Sequence, residues 1–390
     1  MRKSPGMPLR AVFLVFLLSC LNCANFNARA SGAEAVSPWV PQGIAVGGIL
    51  NPSNSVKFTG FGCNSVSFGC GPSLGDYCIG RARSQGCRGN WLLVLARIDW
   101  AQHRIGYVQD VLDTRNGPVP ISGGKKVRNA YDAQVMSWNN ESWVAFECSG
   151  EGINRAATCM GPLRKDLTLD TTRTNVVIQG GDDRTYHYSA SVPKLLVYQH
   201  RAYIYWDRIK WRWADHYVAQ ISALGVEIKK GPDGKFWAID SAGHTGRSIT
   251  SNDPAAVEVF GIDVSDPRSD RVADLFQTIT DGRTIYIAGA RGGGDCTRPG
   301  DSAAGCYRLT LGKTTEPLGY HVFNQHLIPD QYLPKSSAEY YRFVYRPEDG
   351  KTVLLGGMLR NPQHIAGAPV GIWAYVWPTD LFSAASQDGR

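Results

Sequence analysis

A short hairpin pattern recurs along this chain of 390 residues and constrains its fold more than any other feature. The clearest copy, "DAQVMSWNNESWVAFEC" (132–148), reads as an apolar strand, a polar turn and an aromatic-rich second strand. "SVPKLLVYQHRAYIYWD" (191–207) repeats it almost residue for residue, and "DLFQTITDGRTIYIAGA" (274–290) repeats it around an Asp-Gly turn. Asp-Gly between β-rich runs strongly favours a hairpin.

Two further segments extend the series. "EYYRFVYRPEDGKTVLLGG" (339–357) is a fourth full copy, and "RGNWLLVLAR" (88–97) ends a degenerate first copy. The predicted turns lie near Asn90, Asn139, Gln199, Asp281 and Glu348. A supersecondary unit that recurs along an all-β chain, with room for one four-stranded sheet per copy, indicates a β-propeller, here with five blades. A pair of β-sandwiches is the alternative. We expect "GIAVGGIL" (43–50) to pair with "GIWAYVW" (371–377) and close the ring.

The first thirty residues have the pattern of a secretory signal. Arg2, Lys3 and Arg10 precede the apolar run 11–18, and "ARA" (28–30) offers a small-residue cleavage site. We therefore assign 1–30 to a signal peptide and 31–390 to a single propeller domain, secreted or periplasmic. In a competing interpretation, "LLSC" ends in a lipoprotein attachment site at Cys20.

Charge gives no reason to invoke a nucleic acid or an anionic membrane. Without the four basic residues of the signal segment, 37 basic residues face 34 acidic ones. No later segment is apolar enough to cross a membrane, and we expect a monomer.

Cysteine usage predicts disulfides in an oxidising compartment. Of ten cysteines, two lie in the signal segment, and the remaining even number in an exported chain favours disulfides. Cys148 with Cys159 and Cys296 with Cys306 are expected as local pairs. The other four would form two more bridges in local or crossed order; they are Cys63, Cys70, Cys78 and Cys87. Zinc is the alternative, but no CxxC spacing or nearby histidine pair supports it.

The hairpins place acids at one end of the repeat. The first residue of one strand and the last residue of its antiparallel partner lie at the same end of a hairpin. If each first strand lines the central axis, six residues approach one mouth of the funnel: Asp132, Ser191, Asp274, Glu339, Glu147 and Asp207. Solvated strand ends or an ion-binding funnel are alternatives. We predict no cofactor, with a structural calcium ion in the funnel left open.

Paired carboxylates suit cleavage of a glycosidic bond. A protonated carboxyl donates a proton to the leaving oxygen, and an ionised one activates water or attacks the anomeric carbon. Neighbouring like charges in such a funnel would keep one acid protonated.

Aromatic side chains in "YIYWDRIKWRWADHY" (203–217) add candidate sugar-stacking surfaces. We predict substrate contacts for Trp206, Trp211 and Trp213, the last two in a loop beyond the strand. His187 lies just before the third hairpin and could line the funnel, although a surface position is the alternative.

The copies at 132–148 and 191–207 resemble the blade-opening pattern of the five-bladed β-propeller glycosidases. That superfamily includes arabinanases, β-xylosidases and, more distantly, invertases and levansucrases. The resemblance implies an aspartate base, a second aspartate that adjusts pKa and a glutamate acid from a later blade.

Residue by residue, the resemblance makes Asp132 the base or nucleophile. Ser191 stands where the second aspartate is expected, so that role is either vacant or taken by Asp207. Glu258, inside the apolar run "AAVEVFGIDV", is the first candidate for the acid, although it could instead be a solvent-facing strand residue. Asp274 and Glu339 are its rivals by position.

The leading hypothesis is a secreted glycoside hydrolase that acts on a polysaccharide or oligosaccharide, with Glu147, Glu339 and His187 as further substrate contacts. A carbohydrate-binding or envelope scaffold propeller without turnover is the alternative. A polysaccharide lyase, with His187 and Tyr186 or Tyr188 as its base, is a third hypothesis.

Overall fold

The computed structural model describes residues 68–85, 88–100, 104–214, 218–261, 273–292, 307–319, 321–322, 328, 337–360, 371–377 and 381. These ranges are built from β-strands, with two short 3-10 helices at Pro72–Leu74 and Ser122–Gly124. The predicted signal peptide and the strand expected at 43–50 lie outside the described residues, as do Cys63, Cys87, Cys296 and Cys306.

Five antiparallel sheets follow one another along the described chain. Sheet I contains β1 (Phe68–Cys70), β2 (Tyr77–Gln85), β3 (Arg88–Asp99) and β4 (Arg104–Leu112). Sheet II contains β5 (Val119–Pro120), β6 (Lys126–Trp138), β7 (Glu141–Glu151), β8 (Ile153–Pro162) and β9 (Asn175–Gln179). Sheet III contains β10 (Gly181–Asp182), β11 (Tyr186–Tyr188), β12 (Ser191–Tyr198), β13 (Arg201–Arg212), β14 (Val218–Lys230) and β15 (Phe236–Ala238).

Later strands complete these sheets and form the last two. β16 (Ile249–Thr250) adds to sheet II beside β9, in parallel, and β17 (Val257–Glu258) adds to sheet III beside β14. β18 (Phe260–Gly261) pairs in parallel with β22 (His321–Val322). Sheet IV contains β19 (Ala273–Thr280), β20 (Ile285–Gly292) and β21 (Tyr307–Thr314). Sheet V contains β23 (Ser337–Arg346), β24 (Lys351–Arg360) and β25 (Gly371–Val376).

The sheets close into a ring. Each successive pair shares one apolar cluster, and a further cluster joins sheet V to sheet I through Val344, Val353 and Leu355 against β1 to β3. The innermost strands, β1, β6, β12, β19 and β23, contact one another in the same cyclic order. The expected all-β propeller fold is therefore confirmed, and in the described residues five sheets form the ring, with the apolar core divided among the interfaces between them.

The predicted hairpins are largely confirmed. Asn139, Asn140, Gln199 and His200 all have positive φ, as a two-residue turn of the favoured hairpin type requires. Sheet I differs, because Asn90 lies inside β3 rather than in a turn. Its inner hairpin is β1–β2, which the cysteine-rich composition obscured.

The closing contacts between blades use polar side chains of inner strands. Arg342 Nε donates to the Phe68 carbonyl over 3.0 Å and so ties sheet V to sheet I. Gln277 of sheet IV accepts from the Phe343 amide over 2.5 Å. At Gly69 a Cβ would lie 2.6 Å from the Ala133 carbonyl oxygen, so β1 and β6 approach as closely as only glycine allows.

Two disulfides join neighbouring strands within sheets I and II. Cys148 pairs with Cys159, as predicted, between β7 and β8. Cys70 pairs with Cys78 across the β1–β2 hairpin, a pairing that belongs to neither the local nor the crossed order expected for the four cysteines.

Candidate functional site

A β-bulge in the middle of β6, the inner strand of sheet II, positions Asp132. The β6–β7 register jumps from Tyr131 opposite Glu147 to Gln134 opposite Ala145. Asp132, inside the bulge, has φ 53, a left-handed backbone that aspartate adopts more readily than most residues. Its side chain is 3% exposed.

The same bulge recurs in sheet III and corrects the alignment of the repeats. Ser191 pairs with Asp207, and the register then jumps to Lys194 opposite Tyr205. Ser191 is therefore the structural equivalent of Tyr131, and Val192, with φ 46, is the equivalent of Asp132. The expected match of Asp132 with Ser191 was wrong by one residue, because the bulge shifts side chains relative to strand ends.

Arg81 of sheet I is the ionic partner of Asp132. Its Nη1 donates to Asp132 Oδ1 over 2.8 Å, and both side chains are buried. The Arg81 guanidinium also lies 4.9 Å from the centre of the Trp91 ring. The Arg83 guanidinium lies 3.9 Å from the centre of the same ring. The Asp132 carboxylate is thus held by a cation from the neighbouring blade.

Glu147 lies beside this ion pair and is 2% exposed. Its Oε2 accepts a hydrogen bond of 3.1 Å from the Val192 backbone N–H, and the Tyr131 side chain also hydrogen bonds to it. Burial, followed by the negative charge of Asp132, raises the pKa of Glu147 to about 8. The raised pKa favours the protonated form of Glu147 near neutral pH, while its neighbour Asp132 is the ion-pair partner of Arg81.

Asp207 occupies the position in sheet III that Glu147 occupies in sheet II. Asp207 is buried, and its Oδ1 accepts a hydrogen bond of 2.6 Å from Lys194 Nζ. The second carboxyl group beside Asp132 therefore belongs to Glu147 and not to Asp207.

Glu258 does not reach the axis. It lies on β17, the outer strand of sheet III, opposite Leu224 of β14, and its side chain is exposed. The expectation of an inward-facing acid at this position is corrected, because two strands separate β17 from the inner strand β12. Asp274 and Glu339 do lie near the start of inner strands β19 and β23, opposite Ala290 and Gly357, but their side chains lie outside the described residues.

The predicted aromatic contacts separate into two groups. Trp206 is fully buried in the apolar cluster between sheets II and III, where its ring cannot stack on a sugar. Trp211 lies inside β13 rather than in a loop, whereas Trp213 follows the strand and is 39% exposed.

His187 is buried against these two indoles. Its ring stacks on Trp211 at 5.5 Å with an interplanar angle of 9°, and Trp213 lies 5.3 Å away. Its Nδ1 lies 2.5 Å from Asp182 Oδ1. With 4% exposure, the imidazole is shielded from the surface, so His187 is not an accessible base for the lyase hypothesis.

Sequence reasoning missed Arg81 and gave Glu147 only a binding role. Arg81 is 51 positions from Asp132 and belongs to another sheet, so no local pattern signals it. Glu147 follows the apolar run 143–146 in the sequence, but its burial beside sheet III depends on packing between sheets and is not signalled locally.

Within the ranges that the structure describes, no group of three or more His, Cys, Asp or Glu side chains is arranged to hold a metal ion. No helix found there has the length and apolar character needed to cross a membrane.

Comparisons with known proteins show similarity in fold. No protein-family model matches the chain, and no curated protein matches its sequence. Similar solved structures include an α-L-arabinofuranosidase from Lactobacillus brevis, with 10% identity, a TM-score of 0.47 and coverage of 85% of this chain and 94% of that one. A GH43 endo-arabinanase from Bacillus licheniformis has 10% identity, a TM-score of 0.43 and coverage of 80% and 92%. An α-L-arabinanase from Cellvibrio cellulosa, solved with arabinohexaose, has 12% identity, a TM-score of 0.43 and coverage of 80% and 94%.

These neighbours are of the class that the hairpin pattern resembles. At these identities and TM-scores the similarity transfers no residue role to this chain.

Proposed function

We propose that this protein is an exported glycoside hydrolase in which Glu147 is the general acid and Asp132 is the second catalytic carboxylate. The observation that carries the proposal is a pair of neighbouring, buried carboxyl groups that have different partners. Glu147 has a pKa raised to about 8 by burial and by the charge of Asp132, whereas Asp132 receives the Arg81 guanidinium at 2.8 Å. Cleavage of a glycosidic bond requires one protonated carboxyl group and one carboxylate, and the different surroundings of the two groups favour this division.

In this mechanism Glu147 donates its proton to the leaving glycosidic oxygen. Asp132 either removes a proton from the attacking water or attacks the anomeric carbon itself, and Arg81 holds its carboxylate in place. Tyr131 and the Val192 amide fix the Glu147 carboxyl through hydrogen bonds. After proton transfer these same donors stabilise the new carboxylate.

Export is part of the proposal. The Cys70–Cys78 and Cys148–Cys159 disulfides support an oxidising compartment outside the cytosol.

The test is hydrolysis of a panel of plant and bacterial polysaccharides, together with activated aryl glycosides, by the wild-type protein and by E147Q and D132N. Without its general acid, E147Q should lose about 10²- to 10⁴-fold in rate on natural glycans. It should lose much less on aryl glycosides, whose leaving groups need no proton. Proton NMR of the first product anomer then decides between the two roles of Asp132.

E141Q is the matched control. Glu141 begins the same strand, β7, and is ion-paired with Arg173 at 2.7 Å and Lys230 at 2.7 Å, but it lies at the opposite end of the hairpin. We expect E141Q to hydrolyse glycans at the wild-type rate. Full activity of E147Q on every cleaved glycan would remove Glu147 from the mechanism.

A second candidate function is glycan binding without turnover. The low exposure of Asp132 and Glu147, 3% and 2%, favours it, because both groups would then serve only to join the blades. This alternative predicts glycan binding that survives both E147Q and D132N, with no product released from any substrate by the wild-type protein.

A further inference from the structure

Sheet III continues past Ser191, the first residue of inner strand β12, as a short ladder in which β11 replaces β12 beside β13. β13 pairs with inner strand β12 as far as Asp207 opposite Ser191, and its last residues pair instead with β11. Lys210, opposite Tyr188, lies three residues beyond Asp207, which corresponds to about 10 Å along an extended strand.

This ladder lies at the same end of the ring as the candidate site. The segment that follows β11 runs through Ser189, whose amide donates to Ile209 over 3.0 Å, to Val192, whose amide donates to Glu147. A polymer that occupies the mouth above Glu147 would therefore extend over the ladder.

The two faces of the ladder differ in chemistry. His187 and Trp211 stack on one face. The other carries Tyr186, Tyr188, Arg208 and Lys210, all partly exposed, and we call it the cationic tyrosine face. Alternation of side chains along paired strands separates the two sets.

Cations lie against the tyrosine rings of this face. Lys210 Nζ is 4.0 Å from the centre of the Tyr186 ring and 5.7 Å from that of Tyr188, and the Arg208 guanidinium is 5.8 Å from Tyr188. The two rings lie 6.4 Å apart at an angle of 56°. Cation–π contacts of this kind orient the ammonium and guanidinium groups without neutralising them.

The face has more positive than negative charge. Among the described residues, neither Arg208 nor Lys210 forms an ion pair with a carboxylate. Asp183 accepts the Tyr188 hydroxyl over 2.7 Å; this hydrogen bond, backbone hydrogen bonds and the Lys210 charge lower the pKa of Asp183. Burial and this hydrogen bond raise the pKa of Tyr188 to about 12, so its phenol stays neutral.

We propose that the cationic tyrosine face binds a uronic acid residue of the polysaccharide that enters the mouth. Lys210 and Arg208 contact the sugar carboxylate, and the tyrosine rings contact the C–H faces of the sugar. The inference rests on the proposed function, because the polysaccharide bound by this face is the one that the candidate site cleaves. Binding and cleavage are measured separately.

The experiment measures calorimetric binding of oligosaccharides to the wild-type protein and to E147Q. The probes are oligogalacturonate, oligoglucuronate and oligomannuronate, the methyl ester of the oligogalacturonate, and neutral xylan and arabinan oligosaccharides. At least one acidic probe should bind more tightly than the neutral ones. Esterification of a bound oligogalacturonate should weaken its binding about tenfold or more, since it removes a charge-assisted contact.

The variants K210Q and R208Q/K210Q should lose the preference for acidic probes, and K210R should retain most of it. R201Q is the matched control, because Arg201 lies over Tyr203 at 5.7 Å on the same strand but at the turn end. Thermal unfolding of each variant verifies its fold.

Equal binding of acidic and neutral probes, unchanged binding of acidic probes by R208Q/K210Q, or no binding of any uronate would each overturn the proposal. Failure of the proposed function looks different: uronate binding would persist in E147Q and wild type alike while neither protein releases products.

Discussion

The backbone N–H of Val192 donates to Glu147 Oε2 over 3.1 Å and joins sheet III to the carboxyl group of sheet II. Val192 has φ 46, a conformation that β-branched residues rarely adopt. Strained backbone of this kind persists where the surrounding structure enforces it, often at functional sites. The bulge that aims this amide at Glu147 is the counterpart of the bulge that holds Asp132.

Protonation of Glu147 makes stability depend on pH. Its folded pKa of about 8 lies above the ordinary glutamate value of 4.5, so the folded state binds more protons than the unfolded state between these values. The free energy of unfolding should therefore fall as pH rises across this window, by up to about 1.4 kcal/mol per unit. E147Q should flatten the profile in urea unfolding from pH 5 to 8. An unchanged slope in E147Q would show that Glu147 titrates normally.

Loss of Arg81 should destabilise the protein through the charge that it leaves behind. R81M buries Asp132 without its cation, and we expect a cost of about 3–5 kcal/mol in the free energy of unfolding. The double variant R81M/D132N should be less destabilised than the sum of the single changes, as denaturant titrations would measure. Strict additivity would mean that the pair contributes no coupling.

The close approach at Gly69 should not tolerate a methyl group. G69A places a Cβ 2.6 Å from the Ala133 carbonyl oxygen and 2.8 Å from Gln134 Cα, backbone atoms of the strand that carries Asp132. We expect lower thermal stability together with reduced hydrolysis. G106A, in β4 where nothing lies within 4 Å of the added Cβ, is the control and should unfold as the wild type does. Equal melting temperatures for the two variants would contradict the predicted clash.

The Cys148–Cys159 disulfide should stabilise the fold beside the site. It closes a short loop, with a sequence separation of 11, between the strand that ends near Glu147 and its neighbour. The double variant C148A/C159A should lose about 3 kcal/mol by the loop-entropy relation. The free energy of unfolding, measured under oxidising and reducing conditions, gives the effect of the bridge. Reduction cannot remove the contribution of this bridge from the double variant, which already lacks it.

Much of the fold follows from the sequence because the hairpin is local. The apolar alternation and the Asn-Asn turn at Asn139 and Asn140 specify β6 and β7 without reference to distant residues. The site does not follow in this way. Arg81 reaches Asp132 only after two sheets pack, and the bulge shifts the repeats by one position.

Roles assigned by chain order failed for a related reason. Glu258 lies in an apolar run, yet its strand forms the outer edge of sheet III. Trp206 is an aromatic residue of the kind that stacks on sugars, but it packs between blades. The alternation of side chains along its strand directs this residue into the core. Neither the depth of a strand within a blade nor the face that it buries is encoded locally.

The Arg342–Phe68 hydrogen bond spans a sequence separation of 274. During synthesis, the partner of the Phe68 carbonyl emerges only after four of the five blades have been made. The nascent chain must therefore carry an open arc whose first blade has an uncovered apolar side. We expect this arc to need protection by chaperones until the last blade arrives, since closure depends on contacts of such long range.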